Sequence, residues 1–160
     1  MRRFLGTFFG IGRLPGPAGT YASALTAALM LAAWHLGCPW WGIVLAAAGA
    51  SAIGVAAGRE PEKDFGGKDP RPFVLDEAAG MLLAGLAAWM PWSGRAWLTL
   101  AAAFAWFRLM DILKPPPARQ LERLPRGWGI VLDDVAAGAM ALVLTIATDV
   151  LIGRLIGPTT

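Results

Sequence analysis

The chain contains one cysteine, one histidine and one tyrosine. A lone Cys38 rules out a disulfide framework. Cys38 and the single His35 fall together near the end of one apolar run, away from the polar stretches. Thiol nucleophiles, histidine phospho-intermediates and histidine general bases are therefore excluded at any site built from those polar stretches. There is no H-E-x-x-H pair and no Walker-type phosphate loop. Charge is scarce as well, at 16% of 160 residues. What fills the space is Ala, Leu, Val, Ile and Trp, with 56% hydrophobic residues and a mean hydropathy of +0.54. That balance is too oily for an ordinary soluble domain and points to a single membrane domain over residues 1–160.

The apolar residues come in blocks. Tyr21–Leu36, Trp40–Ala57, Ala78–Met90, Ala96–Met110 and Val135–Ile152 read as five helices, the third short for a full span. The fold class expected is all-α, a membrane bundle of about five hydrophobic helices. Most of the eight tryptophans flank these runs, where interfacial anchors belong. Gly42, Gly49, Ser51 and Gly54 make the second helix a close-packing one. The start, Met1-Arg2-Arg3, leads through a short apolar stretch into a Gly/Pro-rich loop and is not read as a signal peptide.

Five passes place the entry loop, the 59–77 loop and the 107–134 loop on one side. Of fourteen Lys and Arg residues only Arg95 and Arg154 fall on the other side, which by the positive-inside rule makes the loop side cytoplasmic. The pI near 9.6 is thus explained by anionic lipid and topology, with no nucleic acid partner. Ten of the eleven acidic residues also lie on the loop side, Asp149 being the exception, and the positive-inside rule does not ask for that. They suggest a site.

The centre of that site is Phe107–Gly138, read as a polar loop hung between two helices and broken by Pro115–Pro117. Asp76 and Glu77 open the third helix, Asp111 closes the fourth, and Asp133 and Asp134 open the fifth. The helix macrodipole accounts for acids at helix starts, but not for Asp111 at a helix end. Carboxylates converging at one depth repel one another unless a hard cation such as Mg²⁺ binds them. The candidate ligands are Asp76, Glu77, Asp111, Asp133 and Asp134, with Asp64 and Asp69 from the second polar loop; Asp76, Asp111, Asp133 and Asp134 are the catalytic candidates. Arg108, one turn before Asp111, and Lys114, three residues after it, suit a phosphate clamp. Lys68 and Thr20, the latter as N-cap closing the entry loop, are further candidates for holding phosphate. The chemistry left is attack on a phosphoryl group by water or by an aspartate, assisted by metal.

Three blocks then carry a resemblance: Gly10-Ile-Gly12 through Thr20; Asp64-x4-Asp69-x6-Asp76-Glu77-x2-Gly80; and Phe107-Arg108-x2-Asp111-x2-Lys114-Pro115 with Gly127-x-Gly129-Ile130 and Asp133-Asp134-x3-Gly138. The chain resembles the phosphatidylglycerophosphatase A family of small membrane phosphatases. The resemblance implies an all-helical bundle around a central helix in the bacterial cytoplasmic (inner) membrane, with the site on the cytoplasmic face. It also implies Mg²⁺-dependent hydrolysis of the phospholipid phosphatidylglycerophosphate to phosphatidylglycerol and phosphate. The alternatives are a small non-enzymatic transporter, whose charges would sit in mid-helix, and a phosphotransferase acting on another lipid phosphate. The spaced D-G-x2-A-R pattern of the CDP-alcohol phosphotransferases is missing.

Overall fold

The structure is a computed structural model and describes residues 2–59, 72–91, 93 and 95–156. Among these residues it is helical, with no strand. The helices are α1 (Arg2–Gly6), α2 (Ala18–His35), α3 (Trp40–Ala57), α4 (Leu75–Ala84), α5 (Ala96–Leu113), α6 (Ala118–Leu121) and α7 (Gly127–Ile156). Three of them, α3, α5 and α7, are long and apolar enough to cross a membrane. Their outer faces stay apolar: Leu45 on α3, Trp97 on α5 and Val143 on α7 are each about three-fifths exposed or more. Large hydrophobic side chains on the outside and carboxylates on the inside invert the soluble pattern and suit a lipid surround.

The central element is α4, which packs against α7, α3, α2 and α5. Seven of its ten residues are buried, Asp76 among them. It continues into a 3-10 turn at Gly85–Trp89 that is buried from Gly85 to Ala88. A 3-10 turn rises ~2 Å per residue against ~1.5 Å in an α-helix, so Leu75–Trp89 reaches roughly 25 Å and nearly matches α2, α3 and α5 at roughly 27 Å.

What lets α4 sit this close to α7 is a pair of glycines. A Cβ on Gly138 would overlap the Gly80 carbonyl oxygen and stand 2.9 Å from its carbonyl carbon. A Cβ on Gly80 would stand 2.5 Å from the Asp134 carbonyl oxygen. Small residues at a crossing let helix backbones touch. Gly80 lies one turn after Asp76, and Gly138 one turn after Asp134, so the crossing brings those acids face to face. Met81, Ala84, Ala103, Phe107, Ala137 and Ala141 fill the core around it.

Two expectations need correcting. The 107–138 stretch is not one loop. Helix α5 runs on to Leu113, and α7 begins at Gly127, so Asp133 and Asp134 lie inside a helix, beyond its first turn. Gly127 fits the helix against α3, where a Cβ would meet the Val55 backbone. Nor is Thr20 an N-cap: α2 starts at Ala18 behind Pro17, whose ring suits a helix start, and Thr20 lies in the first turn.

Candidate active site

One end of the bundle opens into a cleft of about 530 Å³. Gly16–Gly19 form one wall, from the turn into α2. Asp76 and Glu77 come from α4, Arg108 and Asp111 from α5, and Asp133 and Asp134 from α7; Lys114 caps α5. Phe73 and Ile130 complete the lining. Five carboxyl groups against two cations give a formal charge of −3. Of the candidates read from the sequence, Asp76, Glu77, Arg108, Asp111, Lys114, Asp133 and Asp134 meet here. Thr20 does not line the cleft. Asp64, Lys68 and Asp69 lie outside the described residues.

Asp76, Glu77 and Asp134 each offer a carboxylate oxygen, all within 4.8 Å of one another. Asp76 and Asp134 are 6% and 4% exposed. Burial pushes the Asp76 carboxyl well above the usual range, and the charges of Glu77 and Asp134 push it further. Burial raises Glu77 as well, with Asp111 adding to it and Arg108 opposing. Glu77 Oε2 is buried with no hydrogen-bond partner. Repelling carboxylates with an orphaned oxygen fit a hard cation: oxygens across Mg²⁺ stand roughly 4 Å apart, twice its ~2.0–2.1 Å bond. These three residues fit the group by donor type, spacing and unsatisfied charge.

The two cations are held differently. Arg108 Nη1 lies 2.5 Å from Asp111 Oδ2, the i,i+3 partner. The contact is an ion pair without hydrogen-bond angles, so Nε and Nη1 stay buried without an acceptor. Gly19 leaves room for this pairing, since its Cβ would meet the Glu77 carboxyl and stand 3.3 Å from Arg108 Nη1. Lys114 takes a left-handed backbone (φ 45°) as it ends α5. Its ammonium donates to Asp133 Oδ2 at 2.7 Å and stands 3.1 Å from Glu122 Oε1. Burial alone would lower the Lys114 pKa, but the hydrogen bonds and charges of Asp133 and Glu122 outweigh it and raise it. Glu122 had no sequence signal: it sits among basic residues after the prolines, and only the return of the chain through α6 brings it to Lys114.

The cleft thus holds three carboxylates that could bind a divalent cation, beside a guanidinium with two buried donors lacking a hydrogen-bond partner. That combination can take a phosphoryl group between metal and arginine. Comparisons with known proteins find phosphatases named for lipid substrates. Residues 4–149 match the family model described as Phosphatidylglycerophosphatase A. The chain is 33% identical over 153 residues, 93% of its length and 94% of the relative's, to a Bacteroides thetaiotaomicron protein provisionally named phosphatidylinositol-3-phosphatase. It is 33% identical over 136 residues to the phosphatidylglycerophosphatase A of Escherichia coli, covering 83% of this chain and 74% of that one. It is 42% identical over 85 residues to the phosphatidylglycerophosphatase A of Haemophilus influenzae, about half of each chain. No solved structure matches.

Proposed function

The chain belongs to the phosphatidylglycerophosphatase A family, and from that premise we propose that it hydrolyses phosphatidylglycerophosphate to phosphatidylglycerol and inorganic phosphate, using Mg²⁺. The observation that carries the reading is the juxtaposition in one cleft of the Asp76–Glu77–Asp134 oxygens with the unspent Arg108 donors. Asp76, Glu77 and Asp134 would hold the metal. Bound there, a divalent cation supplies Lewis-acid polarisation of the phosphoryl group.

The protein's own groups do the rest. Arg108, whose Nε and Nη1 have no hydrogen-bond partner, offers its planar guanidinium to the phosphoryl oxygens. Asp111 orients that fork through the ion pair. Lys114, fixed by Asp133 and Glu122, adds positive charge at the rim for the second phosphate of the lipid. Buried carboxylates alone would repel an anionic headgroup, so substrate entry depends on these two side chains and on the cation. The apolar outer faces of α3, α5 and α7 keep the cleft at headgroup depth. The charge asymmetry of the loops supports a cleft at the cytoplasmic face of a bacterial inner membrane.

The test is phosphate release by purified protein from a panel of lipid phosphomonoesters in mixed micelles, with Mg²⁺ and with chelator. Phosphatidylglycerophosphate is expected to be the best substrate and activity to vanish with chelator. Preference for phosphatidylinositol 3-phosphate would reassign the substrate, and full activity in chelator would remove the metal.

A further inference from the structure

A second depression lies outside the polar cleft, between α2 and α5. It has a volume of about 240 Å³ and a wholly hydrophobic lining, including Ala24, Ala28 and Leu31 on α2 and Trp97, Ala101 and Phe104 on α5. The two helices touch, and the alanines leave the channel between them. We propose that this groove seats one acyl chain of the lipid whose headgroup occupies the cleft, an inference that rests on the lipid-phosphatase reading.

Alignment with the cleft points to the occupant. The same two helices line both features: Gly19 of α2 and Arg108 of α5 border the cleft, and the groove lies farther along each. On α2 it runs from Ala24 to Leu31, roughly 7 to 18 Å beyond Gly19 at ~1.5 Å per residue. On α5 it runs from Phe104 to Trp97, roughly 6 to 16 Å beyond Arg108 on the same rise. One leaflet of a ~30 Å hydrocarbon core is ~15 Å deep, so the groove occupies the depth of chains whose headgroups sit in the cleft. At ~30 Å³ for a water-sized group the volume takes about eight methylenes, part of one chain rather than two.

The groove fixes position more than it adds affinity. Bilayer tails are as apolar as the lining, so a chain gains little by leaving its neighbours. What it gains is close contact on two sides, which restrains the glycerol and hence the phosphate against Arg108. A lipid with short chains reaches the cleft without that restraint, so the groove confers a chain-length preference.

The experiment compares kcat/KM for dipalmitoyl and dihexanoyl phosphatidylglycerophosphate in wild type, Ala28→Trp and Ala48→Trp. Ala48 is exposed on α3, away from both features. In Ala28→Trp the long-to-short ratio is expected to fall about fivefold, the size of a set of lost dispersion contacts, while Ala48→Trp keeps the wild-type ratio. A long-chain substrate analogue with a mid-chain diazirine is expected to label α2 and α5 peptides in wild type, and less so in Ala28→Trp. Hydrolysis of both lipids with an unchanged ratio in Ala28→Trp overturns the groove while leaving the phosphatase reading intact. Labelling of α2 and α5 by a protein that hydrolyses neither lipid refutes the phosphatase reading and upholds the groove. A loss of dimer mass in Ala28→Trp by light scattering, without labelling, would show that a second copy covers the face and overturn the proposal.

Discussion

Replacing Gly138 by alanine tests how tightly the site depends on the α4–α7 crossing. The added methyl would overlap the Gly80 carbonyl oxygen and lie 2.9 Å from both Gly80 C and Gly80 Cα. Those are backbone atoms and cannot swing aside. Carbon atoms settle at ~3.5–4.0 Å, so the helices must part by roughly 1 Å at this point. Overpacking of this kind costs about 1–3 kcal/mol, which a bundle with several other contacts absorbs without unfolding. The larger effect falls one turn away, where the same separation moves Asp134 from Asp76 and Glu77. A 1 Å misplacement of reacting groups costs on the order of a hundredfold in rate, or about 2.7 kcal/mol. The expected result is therefore a folded protein with kcat down by about two decades and a higher Mg²⁺ requirement. Gly49→Ala is the control, since a Cβ there meets nothing within 4 Å. Thermal melts in detergent and phosphate release across a Mg²⁺ series give both readouts. Wild-type kcat and Mg²⁺ dependence in Gly138→Ala would refute the reasoning.

Asp134→Asn removes one of the three clustered charges without changing shape; activity is expected to collapse while expression persists, and calorimetric Mg²⁺ binding should vanish with it. Full activity would take Asp134 out of the donor set. Arg108→Lys keeps the charge but loses the fork, so a kcat loss on the order of 2–4 kcal/mol is expected, as for other preorganised donors; a wild-type kcat in mixed micelles would end the clamp. The raised Asp76 and Glu77 carboxyls give a signed pH effect. Their folded pKa values exceed the unfolded ones, so metal-free stability is full below the ordinary carboxylate range and falls as pH rises towards the raised values. The melting temperature in chelator should thus be higher at about pH 5 than at about pH 8, and Mg²⁺ should shrink the difference, because it binds the ionised forms. A flat profile in chelator would contradict the mutual repulsion. Phe9→Cys and Leu36→Cys, both at exposed positions, should label from opposite faces of sealed vesicles. Labelling from one face would sink the topology.

Much of this could be read from the chain. Apolar blocks interrupted by charge located the helices, because lipid tolerates few charges within a span. The i,i+3 spacing of Arg108 and Asp111 placed both at the end of α5. What failed was the reading of 107–138 as one loop. Residue 127 starts a helix and must be glycine because α3 comes too near for a side chain, a tertiary fact that no local propensity contains. Thr20 failed because Pro17, directly before Ala18, set the start of α2 two residues earlier. The α4–α7 crossing had an unused signal in the matched spacings Asp76-x3-Gly80 and Asp134-x3-Gly138. The α2–α5 groove was hidden in what looked like mere alanine bias.

The carboxylates of the cleft enter the membrane at different times. Asp76 and Glu77 emerge first, Arg108 and Asp111 later, and Asp133 and Asp134 only with α7. At ~5–20 residues per second the interval from Glu77 to Asp134 lasts a few seconds. Throughout it, the half-made protein holds two adjoining carboxyls with neither the third oxygen of the cluster nor the glycine that presses it home. A nascent or truncated chain therefore cannot process lipid. Arrival of α7 completes the cluster, so activity would report directly on its insertion.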